Sequence, residues 1–266
     1  MSLPKALVDY LNSLRKENGI PSVNYANSGT SNLRARYMLD HNLFSHYDLE
    51  GVHPGYYFTK TSNYYGGEES IGMTFYGRPV LRDGVQVMRE AKRILYRMLY
   101  EDEESNWGHR DSLLDPCFNY SDISVAWDSR RIFVVVTMIS AWVDWVLTPR
   151  LQGNVFKMRG KVRVMSPTHV LVLRDEPHPG NVSRRYYTLG EVVAGVSPQG
   201  IYQGIETIRP TRWELGRNLD VEFPLDLERG LTTVLVLGRD PRGISWSPLG
   251  QRRPGECKLL TYTLRT

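Results

Sequence analysis

The sequence predicts an α+β chain: an α–β–α domain over residues 1–150, followed over residues 151–266 by an all-β domain of β-sandwich type. Three observations carry this reading. A length of 266 residues exceeds the usual single domain and suits two, each able to bury its own core. Helical periodicity comes first and strand texture later, an order that points to α+β layering rather than to regular βαβ repeats. From TPRLQGN onward the chain breaks into short runs rich in Val, Ile, Tyr and Thr, with Gly, Pro or Asp between most of them.

Leu7, Val8, Leu11 and Leu14 recur at helical spacing and predict a first helix near the start. GIPSVNY reads as a turn and a short extended piece. A second helix is expected from Ser31 to His41, with Leu33, Tyr37 and Met38 on one side. The Gly-, Tyr- and His-rich segment from Leu43 to Tyr76 reads as irregular structure. Val87, Ala91, Ile94, Leu95 and Met98 form the stripe of a third helix from about Asp83 to Tyr100, which runs into the acidic cluster Glu101 to Glu104. NWGHRDSLLDP predicts a short helix stopped at Pro116. SDISVAW and RIFVVVTMI, joined by DSRR, predict paired strands, the latter running on into AWVDWV.

In the second domain, GKVRVM, HVLVLR, RRYYTLGEVVAGV, IYQGIETI, LDVEFPL, LTTVLVLG and CKLLTYTLR are the expected strands, and a barrel is the alternative to a sandwich. Trp213 and Trp246 fall near loops, where packing is favoured over ligand stacking. No apolar run reaches the roughly 18 residues of a membrane span. The opening lacks the apolar core of a signal peptide, so an exported protein would have lost its targeting segment. Residues 1–150 carry 16 basic and 18 acidic groups, and residues 151–266 carry 17 and 11. The second domain is therefore basic and suited to an anionic surface, although its scattered Lys and Arg argue against nucleic-acid recognition.

Cys117 and Cys257 fall one in each domain; two buried thiols are favoured over a bridge, which would need an oxidising compartment. No strand leads into GxGxxG and no Gly-rich loop ends in GK[ST], so a nucleotide cofactor is not expected. Asn119-Tyr120-Ser121 and Asn181-Val182-Ser183 match the glycosylation pattern, which carries no meaning in a prokaryotic source.

His46 in FSHYDLEG, Glu68 and Glu69 in YYGGEESIG, Glu101 at the end of the third helix and His109 in NWGHRDSLL are the residues with chemistry. Two imidazoles and two carboxylates can hold a divalent metal or exchange protons. Spacing alone does not unite them, because no HExxH places two histidines on one helix.

FSHYDLEG, GGEESIG, the helix ending MLYE, WGHRDSLLDPCF and the strand pair ending FVVVTM together resemble the CAP superfamily, the SCP/PR-1-like or cysteine-rich secretory protein group, over about residues 5–142. The resemblance implies an α–β–α sandwich with a cleft of two histidines and two acids. It implies His46 and His109 for the histidines and Glu69 for the first acid, with Glu68 if the motif slips by one residue. Glu101 is implied as the second acid, with the acidic residues just after it as substitutes. Serine stands where the family motif has asparagine, and the multiple disulfides of eukaryotic members are absent, so the chain looks like a prokaryotic relative.

The resemblance implies a secreted or extracytoplasmic protein for recognition or scaffolding. It would have a cleft able to take zinc or another divalent cation at His46 and His109, and partners among cell-surface glycans, lipids or proteins. The aromatic segment Gly55 to Gly67 would either line the cleft or pack against its own domain. Alternatives are a zinc-dependent hydrolase of peptide or ester bonds, using His46, Glu69, Glu101 and His109, and a lipid- or sterol-binding protein. The hydrolase reading lacks a covalent nucleophile: Ser45 adjoins His46, but neighbouring side chains of an extended segment point opposite ways.

Overall fold

The computed structural model describes residues 2–81, 83–250 and 252–266. It is a mixed α+β chain with three sheets. The first sheet has the order β1 (Asn24–Tyr25), β3 (Tyr120–Trp127), β4 (Arg131–Ser140) and β2 (Gly66–Phe75), with β1 parallel to β3 and the other pairs antiparallel.

Helices cover both faces of this sheet. On one side Leu7, Val8, Leu11 and Leu14 of α1 (Leu3–Glu17) join Val87, Ala91, Ile94, Leu95 and Met98 of α4 (Gly84–Tyr100) and Leu113 and Leu114 of α5 (Gly108–Leu114). They pack on Ile132, Val134, Val136 and Met138 of β4, alternate residues that share a face. Asp83 begins α4 by accepting the Val85 and Gln86 amides, a cap worth about 1 kcal/mol. On the other side Ala35 and Met38 of α2 (Thr30–Asp40) meet Ile71, Phe133 and Val135.

The buried face of α2 differs from the expected one. Leu33 is exposed, whereas Arg34 is fully buried. An arginine on a helix reads as a polar face, and its burial is explained by partners distant in sequence, Glu69 and the carbonyls of Ser45 and His46.

The segment 43–76 is not irregular as expected: it contains α3 (Pro54–Lys60) and the whole of β2. His53 caps α3 by accepting the Gly55 amide and Pro54 opens its first turn, signals that the aromatic composition concealed. Strand β2 carries three glycines, each at a close approach: a Cβ on Gly66 would overlap the Lys258 carbonyl, one on Gly67 would crowd the Phe58 ring and one on Gly72 would overlap the Ile94 side chain. The tyrosines here pack rather than display themselves. Tyr57 and Phe58 are buried, and the Tyr57 hydroxyl donates to Asp48 Oδ2 at 2.6 Å.

The second sheet has the order β10 (Arg212–Leu215), β11 (Asn218–Pro224), β6 (Val155–Val162) and β5 (Val143–Gln152), so AWVDWV starts a new sheet instead of extending β4. The third has the order β13 (Glu256–Arg265), β12 (Leu231–Arg239), β7 (Ser166–Asp175), β8 (Glu191–Val196) and β9 (Glu206–Ile208). One cluster joins the two: Phe156, Met158, Val221 and Phe223 face Val170, Val172, Val234, Val236 and Tyr262. Trp213 packs against this cluster and Trp246 against the first core, as expected of packing residues. Strand β10 was not foreseen, and Arg184 to Gly190, expected to begin a strand, lies outside β8.

The third sheet is covered on both faces. Val170 and Val172 turn towards the second sheet; Leu171 and Leu173 turn the other way, with Leu235, Leu237 and Leu189. Strand β13 runs against the first half: the Thr261 amide donates to the Tyr65 carbonyl at 3.2 Å and the Thr263 amide to Thr59 Oγ1 at 2.8 Å.

Between β12 and β13, residues 240–250 and 252–255 fasten the halves together. Ile244 and Trp246 pack on the first core, and Asp111 accepts the amides of Leu249 at 2.9 Å and Gly250 at 2.7 Å. Cys117 and Cys257 form a disulfide, which overturns the expectation of two thiols. The reason is the return of β13 over the first half, which brings their Cα atoms to 5.4 Å, within bridging range.

Candidate functional site

His46 lies in the loop after α2, held from below and within. Arg34 Nη2 donates to the carbonyls of Ser45 at 3.0 Å and His46 at 2.8 Å. Asp48 Oδ1 accepts the Glu50 and Val52 amides, each at 2.9 Å, and closes the loop. Gly51 sits at φ +82°, where a Cβ would overlap the His178 backbone.

Glu69 lies on β2 and meets His46 Nδ1 through Oε1 at 3.0 Å. Its Oε2 accepts from Arg34 Nε at 2.9 Å, and the side chains of this ion pair are fully buried. Burial opposes the charge on Glu69, but Arg34 and His46 outweigh it and hold the carboxyl below its ordinary range. Burial pushes His46 the other way, below its usual value, with Glu69 offsetting only part of the effect. A neutral His46 therefore donates Nδ1–H to Glu69 and leaves Nε2 with its lone pair.

His109 is the second residue of α5. The acid behind it is Asp102, not Glu101. Asp102 Oδ1 accepts from His109 Nδ1 at 2.7 Å, while Oδ2 accepts the amides of His109 at 2.9 Å and Arg110 at 3.1 Å. Glu101 is exposed and pairs with Arg97 at 3.4 Å. The reason is that α4 ends at Tyr100, so a carboxylate that is also to cap α5 must come from the turn beyond it.

The rings of His46 and His109 are 6.5 Å apart between centroids, and both line one cleft of about 550 Å³. Two imidazoles on one tetrahedral zinc, with Zn–N bonds of about 2.0–2.1 Å, bring their centroids to roughly 5–6 Å. The observed separation lies slightly beyond that. A carboxylate on each Nδ1 is the usual way of orienting a metal-binding imidazole, so the donor chemistry suits a divalent cation held by two Nε2 atoms. Among the described residues no group of three or more His, Cys, Asp and Glu is arranged to hold a metal ion.

Glu68 also lines the cleft, but its partners come from the second half: Arg252, and Lys258 at 2.8 Å. Burial opposes its charge, and these two cations hold its carboxyl well below the usual range. Arg252 also pairs with Asp115. Adjacent strand residues thus serve opposite neighbours, Glu69 inward to Arg34 and Glu68 outward to Arg252.

Four participants went unseen in the sequence: Arg34, Tyr187, Arg252 and Lys258. Tyr187 packs its ring 5.0 Å from that of His46, and its hydroxyl oxygen accepts the Glu69 amide at 3.1 Å. Asp102 did have a signal, being among the acidic residues just after Glu101. Ser45 accepts the Tyr47 amide at 3.1 Å, and no seryl hydroxyl is hydrogen-bonded to either cleft histidine among the described residues.

Part of the basic excess of the second half is neutralised on the outside of its sheet. Arg159 and Arg212 pair with Asp220 at 3.1 and 3.3 Å, and Lys157 with Glu222 at 3.8 Å. Asn119 is tied to Ala141 through both amide atoms, and Asn181 is buried with its amide on the Gly51 carbonyl. No helix among the described residues is long and apolar enough to cross a membrane.

No family model matches the chain, and no curated protein matches its sequence. Among solved structures the chain is similar to an outer surface protein from Borrelia burgdorferi, at 16% identity and a TM-score of 0.39, over 51% of this chain and 91% of that one. It is also similar to the CAP domain of Enterococcal PrgA, at 16% identity and a TM-score of 0.40, over 56% of this chain and 64% of that one.

Proposed function

We propose that this chain is an extracytoplasmic, CAP-like recognition protein whose cleft binds its ligand between the two halves. The observation that carries the proposal is the pair of carboxylate-backed imidazoles, Glu69–His46 and Asp102–His109, facing one cleft of small-molecule size. The resemblance in FSH, GGEES and GHR named three of these four residues. The disulfide between Cys117 and Cys257 supports an oxidising compartment.

A divalent cation would rest on Nε2 of His46 and Nε2 of His109 and take its other ligands from the bound molecule or water. It would supply Lewis acidity towards an oxygen of that molecule. Glu69 and Asp102 orient the rings and keep both Nδ1 atoms occupied, so only the Nε2 atoms are presented. Hydrolysis is a second reading, favoured by the same carboxylate-backed pair; no seryl hydroxyl among the described residues is hydrogen-bonded to either ring, so it would proceed through an activated water rather than a covalent intermediate.

The test is zinc calorimetry near neutral pH on the wild type beside a His46→Ala/His109→Ala variant. Saturable binding that disappears in the variant supports the site, and peptide and ester screens then separate recognition from hydrolysis. No binding by folded wild type removes the metal from the reading.

A further inference from the structure

The second sheet turns one face away from the shared core, and the cations there divide into matched and unmatched ones. Lys157, Arg159 and Lys161 alternate with the buried Phe156, Met158 and Val162, so all three point outward from β6. Arg159 and Arg212 meet Asp220, and Lys157 and Arg212 meet Glu222. Lys161 and Arg217 have no ion pair and no side-chain hydrogen bond among the described residues.

These two free cations share a cavity of about 640 Å³ at the end of the sheet, where the link from β6 to β7 passes the turn between β10 and β11. The cavity has no lining residue in common with the histidine cleft. Arg163 adds a third cation to its wall, and Asp144 is the one acid among its described lining residues. Arg163 and Asp144 pair with each other at 3.2 Å, but both are exposed, so water already weakens the contact. Two positive charges are therefore left without a counterpart.

The wall that carries them is stiff. Val164 sits at φ +61°, a value that β-branched residues seldom adopt, in a three-residue turn closed by the Met165 amide on the Arg163 carbonyl at 2.6 Å. The strain persists because the flanks are tied: the Arg163 amide donates to the Trp142 carbonyl at 2.7 Å, and the Val162 amide to the Arg217 carbonyl at 2.8 Å. The backbones bearing the cations are thus fixed to one another before any ligand arrives, which lowers the ordering cost of binding.

The ligand's chemistry follows from what the cavity offers and what it omits. Guanidinium forks beside an ammonium suit a phosphate, whose charge is spread over several oxygens. No aromatic side chain is among the described lining residues, so nothing stacks a nucleobase. Val162 and Met165 are buried and leave little apolar surface for an acyl chain. The volume falls within the range of small-molecule sites, enough for a phosphate and the polyol on either side of it.

We infer that this cavity binds a phosphodiester of a hydrophilic polyol-phosphate polymer, with Lys161 and Arg217 as its main contacts. The site tethers the chain by its second half and leaves the histidine cleft free, a role that goes beyond the proposed recognition function and does not depend on it.

The test is calorimetry at low salt on the whole chain. The probes are poly(glycerol phosphate), polyglutamate of matched charge, oligothymidylate, and vesicles of phosphatidylglycerol in neutral lipid. Saturable binding of the polyol phosphate is expected, with the carboxylate polymer weaker by about fivefold or more. Lys161→Ala/Arg217→Ala should weaken the polyol phosphate by about tenfold or more, because charge-assisted contacts to phosphate are lost. Arg150→Ala removes another unpaired cation, one on β5 outside the cavity, and should change the affinity by less than about twofold. His46→Ala/His109→Ala should bind the polymer as the wild type does, so zinc and polymer report on different sites. Circular dichroism of each variant verifies folding.

Equal affinity for polyglutamate, or tighter binding of oligothymidylate or of the vesicles, would overturn the inference. So would unchanged affinity in folded Lys161→Ala/Arg217→Ala, a loss in Arg150→Ala as large as in that double variant, or no binding by folded wild type.

Discussion

Asp102 serves His109 twice, holding its side chain through Oδ1 at 2.7 Å and its backbone amide through Oδ2 at 2.9 Å. One carboxylate thus begins a helix and aims an imidazole, which couples the site to the local fold. Asp102→Ala is expected to cost about 1–2 kcal/mol in denaturant unfolding through the lost cap. It should also weaken zinc by about 10- to 100-fold. Glu101→Ala, at an exposed position, should leave both unchanged. The reverse pattern would return the second acid to Glu101.

Arg34 and Glu69 form a buried pair beneath His46. Removing one partner strands the other charge, so Arg34→Met should destabilise by about 3–5 kcal/mol in urea unfolding. Arg34→Met/Glu69→Leu is expected to recover part of that loss while weakening zinc binding by about 10- to 100-fold, because His46 loses the acceptor on Nδ1. Full zinc affinity in the double variant would show that the carboxylate does not orient the ring.

His53 gives the chain an acid-sensitive point outside the cleft. It is fully buried, its Nε2 has no hydrogen-bond partner, and burial lowers its value to about 4. The folded state therefore resists protonation more than the unfolded chain does. The stability associated with this depressed value is fully present above about pH 6.5, falls as the pH drops below that, and is gone below about 4. A depression of this size corresponds to roughly 3 kcal/mol. Urea midpoints between pH 7 and 4 should fall more steeply for the wild type than for His53→Gln, and parallel curves would count against it.

Cys117 and Cys257, 140 residues apart, are both fully buried. Replacing both with serine is expected to cost about 3–5 kcal/mol, largely by freeing the unfolded chain. Thiol quantitation of protein unfolded in denaturant without reductant should find almost no free thiol. Two readily titrated thiols would mean that the bridge is not formed.

The long amphipathic elements were legible because their burial follows one period. Leu7, Val8, Leu11 and Leu14, and Val87 to Met98, became the buried stripes that their spacing predicts. Segment 43–76 was misread because its strand carries Gly66, Gly67 and Gly72, residues needed for close approach rather than for strand propensity. His46, Glu69 and His109 were found through short motifs, whereas Arg34, Tyr187 and Arg252 act through distant contacts that no local pattern records. One signal was available: HVLVLR and TTVLVLG are continuously apolar rather than alternating, as expected of a sheet covered on both faces. That second cover is the segment from Tyr187 to Leu189, which also lines the cleft.

The placement of β13 has a consequence for the order of assembly. Arg252, Cys257 and Lys258 are the late-made partners of Asp115, Cys117 and Glu68. A growing chain that has passed residue 230 already contains both histidines and both acids, yet Glu68 and Asp115 have no cation to meet. The cleft is therefore finished last, and contacts of such long sequence separation form slowly. Until then the growing chain exposes apolar strand edges and an unpaired thiol, and its maturation would depend on whatever shields them and oxidises that thiol at the end.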